Sequence, residues 1–355
     1  MHRNRHIALT ATSIVLAGCG SFTNAVSSPS ATGNAPLLTR SELTQLRYVG
    51  GGNVWLTASN SGFYELFNFN TGTKKASFIT PPGISGESGI AYAYNPNLGG
   101  VLGYYPYQSL LHSPVVFTKD YGHSWNSVNV DVKMAGIVDP IAISNTQIYV
   151  AEGGGVIAAG TPTAASFANL PPLAQGASVK GIYGLADGIL AVVDVSGSTQ
   201  LERYSETSST WSRVGSLGSD RVVATEVING SSVSVGICSQ SGSKLTGQIY
   251  DGSRFSQSFN GSSSGTLLAC TPDVTASSTS LSAIVKQPSG VSLIDRSGQS
   301  SLQGGVVSFV AAGGLNLSIA PYANGIHLVD TSNKVDYANH INATMANFVN
   351  QYQGG

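Results

Sequence analysis

A closed ring of four-stranded antiparallel blades, an all-β propeller, is the fold class this sequence predicts. Three observations carry the prediction. A hairpin pattern recurs seven times at a spacing near 44 residues. Two series of short apolar runs keep phase with it. The composition, with 43 glycines in 355 residues and abundant serine, favours many turns between short strands over helices.

The hairpins read Leu66–Phe78, Val115–Trp125, Val156–Phe167, Leu201–Trp211, Gln248–Phe255, Val291–Leu302 and Ile326–Tyr337. In each, a β-rich run meets a turn of Gly, Ser, Thr, Asn or Asp, and a bulky residue restarts the chain. The anchors Phe78, Trp125, Phe167, Trp211, Phe255, Leu302 and Tyr337 are spaced 47, 42, 44, 44, 47 and 35 residues apart. First-strand runs lie at 46–49, 90–94, 140–143, 181–185, 222–227, 267–270 and 306–310. Second strands start near Val54, Val101, Ile148, Ile189, Val233, Leu281 and Leu315. A unit of 40–47 residues with four strands has the length of a propeller blade. Seven blades fill about residues 44–342 of a propeller domain spanning 37–342, with six or eight blades as the neighbouring solutions. Residues 35–43 are a candidate extra strand for the short last blade. The tail 343–355 has Met345, Phe348 and Tyr352 near helical spacing, which suits a short docking helix.

The second hairpin carries the sharpest motif. Thr118–Trp125, Thr-Lys-Asp-Tyr-Gly-His-Ser-Trp, resembles the Asp-box, or bacterial neuraminidase repeat. Asp120 can accept hydrogen bonds from its own turn, and Gly122 permits positive φ. The hydroxyls of Thr118 and Ser124 can satisfy further turn groups, and Trp125 can bury its ring between sheets. Trp211 closes a degraded copy that keeps a carboxylate, Glu206, and lacks the glycine. Families with this box include sialidases, sortilin-type receptors and photosystem II assembly/stability factor lipoproteins. The resemblance implies a propeller. It does not carry over sialidase chemistry, because no Arg-Ile-Pro motif is present and the arginines are few. Of these, Arg47 and Arg221 can approach the axis, as can Tyr94, Tyr105 and Tyr183. Arg203 and Arg213 fall on outer strands and Arg254 in a hairpin turn.

The start of the chain reads as a processed leader. A basic beginning (His2, Arg3, Arg5, His6) precedes the apolar run 7–17, too short for a membrane span. Leu16-Ala17-Gly18-Cys19 resembles a bacterial lipobox. That implies a signal peptide over 1–18, cleavage before Cys19, and acylation of Cys19 with palmitate-like chains. Two or more chains would give stable anchoring. Residues 19–36 then form a flexible, Ser- and Gly-rich tether. The expected location is the bacterial cell envelope, on the extracytoplasmic side of a membrane.

Charge excludes one class of partner. With 17 basic against 18 acidic residues and no basic run, nucleic acid is not expected. Neither a P-loop nor a Gly-x-Ser-x-Gly elbow occurs, and the histidines lack metal-ligand spacing. No cofactor, metal or catalytic residue is therefore expected. Cys238 and Cys270 form an even pair in an oxidising compartment, either as a disulfide or as two buried thiols.

The candidate binding face is formed by second-to-third strand loops and inter-blade loops. Its longest loop, Tyr104–His112, is aromatic and suits protein or glycan contact through Tyr104, Tyr105, Tyr107 and His112. Glu87, Asp139, Glu152 and Tyr322 are expected beside it. These features predict a non-catalytic, membrane-anchored scaffold for a protein or assembly partner. A glycan-binding or glycan-cleaving, sialidase-like lipoprotein is the alternative, and paired carboxylates across a cleft would distinguish it.

Overall fold

A computed structural model describes residues 43–60, 63–81, 89–105, 111–274, 278–302, 308–322, 325–330 and 335–337. Residues 1–42, expected to hold the leader, Cys19, the tether and most of the extra strand 35–43, lie outside these residues, as do Glu87, Tyr107 and the tail 343–355.

The strands form consecutive four-stranded meanders. The first comprises β1 (Leu43–Gly50), β2 (Asn53–Asn60), β3 (Phe63–Asn70) and β4 (Lys75–Phe78). The second comprises β5 (Ile90–Asn95), β6 (Gly99–Tyr104), β7 (Val115–Thr118) and β8 (Asn126–Val128). The third comprises β9 (Ile141–Ile143), β10 (Ile148–Ala151), β11 (Ile157–Gly160) and β12 (Ala168–Asn169). The fourth comprises β13 (Ala177–Leu185), β14 (Gly188–Val195), β15 (Ser198–Ser205) and β16 (Thr210–Gly218). The fifth comprises β17 (Arg221–Asn229), β18 (Ser232–Ser241), β19 (Lys244–Tyr250) and β20 (Phe255–Ser262). The sixth comprises β21 (Thr266–Val274), β22 (Thr279–Gln287), β23 (Gly290–Asp295) and β24 (Gly298–Leu302). The last comprises β25 (Ser308–Ala312), β26 (Leu315–Tyr322), β27 (Gly325–Asp330) and β28 (Val335–Asp336).

These meanders make six sheets, not the seven separate ones the repeat predicts. Five sheets have four strands and one has eight. The fusion comes from parallel pairing of β21 with β25, through Asp273↔Ala311 and Val274↔Ala312. Innermost strands of neighbouring meanders run in the same direction, so they can pair where they converge. An isolated parallel bridge between Asp139 and Gly181 is a smaller instance of the same approach.

The apolar runs are continuous because both faces of each sheet are covered. Successive side chains of a strand point to opposite faces. Ile148 and Val150 pack towards the second meander, whereas Tyr149 and Ala151 pack towards the fourth. Ile189, Ala191 and Val193 face the third meander, and Leu190 and Val192 face the fifth. Every consecutive pair shares such a cluster, with buried Leu, Ile or Phe side chains contributing about 1.5–3 kcal/mol each. One cluster joins Leu46, Leu56 and Phe67 to Val310, Leu317, Ile319 and Leu328. The last meander therefore packs on the first, and the arrangement closes as a β-propeller. Closure is by face packing, with β1 paired within its own sheet.

Each expected strand run overlaps an observed strand, with Pro140 just before β9 and residues 306–307 outside the described residues. The hairpin anchors are less regular than their spacing suggests. Phe78 and Leu302 end their strands, Phe255 begins one, and Trp125 and Phe167 each precede one.

Candidate functional site

The Asp-box is a closed set of turn hydrogen bonds. Asp120 accepts Ser124 N–H at 2.9 Å, Ser124 Oγ–H at 2.6 Å and Thr118 Oγ1–H at 2.7 Å. Thr118 Oγ1 in turn accepts Gly122 N–H at 3.0 Å. Gly122 has φ 90°. Burial opposes the charge of Asp120, but these hydrogen bonds hold its carboxyl below the usual range. Degraded boxes reuse part of this scheme. Asp251 accepts Ser253 N–H at 2.8 Å and Arg254 N–H at 2.9 Å, and lies at about 2 through these backbone and side-chain bonds. Asp295 accepts Ser297 N–H at 2.7 Å. Trp125 Nε1–H donates to Ile79 O at 2.7 Å, and Trp211 Nε1–H to Pro171 O at 2.8 Å. Each tryptophan thus staples its hairpin to the chain leaving the preceding meander.

The axis is filled by charge. Arg47 of β1 donates to Asp139 Oδ1 at 2.8 Å, to Glu226 Oε2 at 3.5 Å and to the Tyr92 carbonyl at 2.9 Å. Its guanidinium carbon lies 5.1 Å from the centroid of the Tyr92 ring. Tyr183 O–H donates to Asp139 Oδ2 at 2.9 Å, and Gly184 N–H donates to Glu226 Oε1 at 3.1 Å. The participating side chains come from the first meander, the second, the segment entering the third, the fourth and the fifth. All five residues are buried. Desolvation raises Glu226 to about 7 despite the opposing pull of Arg47. Desolvation opposes the charge on Arg47, but Asp139 and Glu226 outweigh it and hold the arginine charged. Towards the box turns, Asn145 Oδ1 accepts from both Asn95 and Asn97 at 3.0 Å, and Asn97 reaches Ser231 O at 2.8 Å.

The expected binding face is smaller than the sequence suggests. Tyr104 is 2 % exposed and packs between the first two meanders. Asp139 is committed to Arg47 and Tyr183. Both are buried, because strand pairing turns Tyr104 inward and the axial charge cluster takes Asp139. Tyr105 is half-buried, and its hydroxyl donates to Ile137 O at 2.6 Å. Glu152 is half-buried and accepts Lys133 N–H at 3.2 Å. His112 is exposed. Tyr322 ends β26. Of the arginines expected near the axis, Arg47 is central, while Arg221 begins β17 exposed to water. Tyr183 reaches the axis. Tyr94 instead stacks on Tyr121 at 5.2 Å.

What the face does display is aliphatic. Leu111 is 79 % and Val138 80 % exposed, with Val156 and Leu268 also in water. Their loops are stitched together. Ser113 N–H donates to Val132 O at 2.9 Å, Ala135 N–H to Ala151 O at 2.7 Å, Glu152 N–H to Val156 O at 2.8 Å and Ile182 N–H to Asp139 O at 2.9 Å. The sequence signal for these residues is weak, since an apolar residue in a loop reads the same whether it is covered or displayed. Among the described residues no three His, Cys, Asp or Glu side chains stand together as a metal site. Cys238 of β18 and Cys270 of β21 are joined as a disulfide between the fifth and sixth meanders, with sulfurs 2.11 Å apart.

No protein-family model matches the chain, and no curated protein matches it significantly. The chain aligns with several solved structures. Hydrazine synthase of Kuenenia stuttgartiensis aligns with TM-score 0.51 and 11% identity, over 82% of this chain and 96% of that one. The SapL1 lectin in complex with alpha methyl fucoside aligns with TM-score 0.46 and 11% identity, over 75% and 96% of the two chains. YCF48 bound to D1 peptide aligns with TM-score 0.39 and 14% identity, over 61% and 66%. At 11% identity the likeness to hydrazine synthase concerns the fold alone.

Proposed function

We propose that the chain is a membrane-tethered propeller lipoprotein, acting outside the cytoplasm as a non-catalytic scaffold for a protein partner. We count its eight-stranded sheet as two blades, giving a seven-bladed ring. The supporting observation is the axial cluster. In a propeller enzyme the channel offers a cleft with reactive groups. Here Arg47, Asp139, Glu226 and Tyr183 satisfy one another in a buried plug. A ring whose described axial groups are spent on one another suits holding a partner better than turning over a substrate. The lipobox supplies the attachment to the membrane.

The glycan-cleaving alternative needs two free carboxylates across a cleft. Of the candidates Glu87, Asp139 and Glu152, Asp139 has both oxygens engaged, Glu152 accepts a backbone N–H, and Glu87 lies outside the described residues. Crosslinking in the native envelope, with mass spectrometry of the captured chains, tests the scaffold reading. Recurrent recovery of one protein partner is the expected result. Hydrolysis of a glycan by the purified chain would sink it.

A further inference from the structure

Among the described residues, the innermost strands start at one end of the ring, and the links 129–140, 170–176 and 219–220 between meanders lie there too. Leu43, the first residue of β1, is at that same end, because the innermost strands all start there. The exposed aliphatic side chains Leu111, Val138, Val156 and Leu268 are also at this end. Two cations join them. Lys180 is the extra residue of a bulge in β13, where Val179 pairs Val193 and Gly181 pairs Val192. Leu268 occupies the equivalent bulge in β21, between Leu267 and Ala269. A bulge leaves its extra residue out of the ladder and re-aims its side chain. Arg221 begins β17. Lys180 and Arg221 are exposed, and among the described residues neither has a carboxylate within salt-bridge distance. The carboxylates of Asp131, Glu152 and Asp194 at this end accept backbone N–H groups, and Asp220 stands directly before Arg221.

We infer that this end of the ring docks on a bilayer surface containing anionic lipid. The inference rests on the tethered reading above, and three arguments select the bilayer. An aliphatic side chain four-fifths exposed projects from its loop, so a folded partner would need a shaped pocket for each tip. A fluid interface accepts all of them without shape matching. Lys180 and Arg221, the latter anchored through Nε to the Leu267 carbonyl, add attraction to anionic headgroups, about fivefold in binding for each basic residue near the surface. Finally, Cys19 precedes Leu43 by only 24 residues, so the proposed acylation site is joined to the ring at this end. It would hold this end, rather than the box turns, close to the membrane.

The test uses the full chain with an environment-sensitive fluorophore on a single introduced cysteine. Labels go at Val138→Cys and Leu268→Cys, and at Lys119→Cys beside the box turns. Vesicles are phosphatidylcholine and phosphatidylglycerol, about three to one, carrying a brominated quencher in their acyl chains. Each label is read in the acylated chain and in a Cys19→Ser background. The expected result is at least threefold stronger quenching at 138 and 268 than at 119 in both backgrounds. In the Cys19→Ser chain, Lys180→Ala with Arg221→Ala should weaken docking by about tenfold or more. Equal quenching at the two ends overturns the inference, even if Cys19 proves acylated. Native Cys19 without acyl chains, together with end-selective quenching, overturns the tethered reading and leaves this one standing.

Discussion

Arg47 and Asp139 meet at 2.8 Å on the axis, although 92 residues separate them in sequence. With Glu226 raised to about 7 and mostly protonated on the acid side of neutrality, the pair balances one charge against one. Removing a single member of a buried pair strands the other. Arg47→Met should therefore lower unfolding free energy by about 3–5 kcal/mol. Adding Asp139→Asn should recover part of that loss, because the stranded charge goes too. Urea unfolding of the two single variants and the double variant measures the coupling. Additive losses would show that the residues act independently.

Stability should fall as pH rises from mildly acidic to mildly alkaline. Burial raises both Glu226 and Glu65 to about 7, against an ordinary value of 4.5. A folded value above the unfolded one means that the folded state holds the proton more tightly. The resulting stability is complete below about 4.5 and is lost as pH rises through 7. Each group can contribute up to about 1.4 kcal/mol per pH unit inside that window. Asp120 and Asp251, held low by their turns, act oppositely at more acidic pH. The melting temperature should be higher at pH 5 than at pH 8. Glu226→Gln should flatten that slope, and a wild-type melting temperature that climbs between those values would contradict the argument.

Trp125 and Trp211 make the same staple in different surroundings, which predicts unequal costs. Ile79, whose carbonyl accepts from Trp125, is 3 % exposed, whereas Pro171 is exposed. Trp125→Phe leaves a buried acceptor unmatched and should cost about 1–3 kcal/mol. After Trp211→Phe, water can replace the donor, so the loss should be nearer 1 kcal/mol. Thermal or urea unfolding of the two variants gives the comparison. Equal costs would mean that the rings, not their N–H groups, carry the stability.

The fold was legible because its strongest signals are local. Runs such as Ile148–Ala151 and Gly188–Val195 are apolar at every or nearly every position, as strands covered on both faces must be. The turn chemistry of Asp120, Asp251 and Asn229-Gly230 separates such strands. The sheet count was less legible. Fusion through β21 and β25 depends on how closely two innermost strands converge, and no side-chain pattern records that distance. The axial cluster was half visible. Arg47 interrupts an apolar innermost strand, which drew it towards the axis. Glu226 interrupts β17 in the same way between Val222 and Ile228, and the same reasoning would have found it. The binding face misled because Tyr104 is the last residue of a strand rather than the first of a loop. Its pleat position, not its chemistry, turns it inward.

The Cys238–Cys270 disulfide should matter more to stability than to local packing. Both residues are buried in the cluster between the fifth and sixth meanders, with α-carbons 5.5 Å apart, so the reduced thiols would still fill that space. The link closes a loop with a sequence separation of 32, which restricts the unfolded chain. Chain-entropy reasoning puts the effect at about 3–4 kcal/mol. Cys238→Ala with Cys270→Ala removes the cross-link together with some packed volume. Cys238→Ser with Cys270→Ser keeps volume but introduces hydroxyls. Both variants should unfold at lower urea concentration than the parent, and reduction of the parent should produce a similar shift. Thiol labelling under denaturing, non-reducing conditions reads the bond directly, with neither cysteine expected to react. If both react in the unreduced protein, the cross-link is absent, and the reduction experiment should then leave the urea midpoint unmoved.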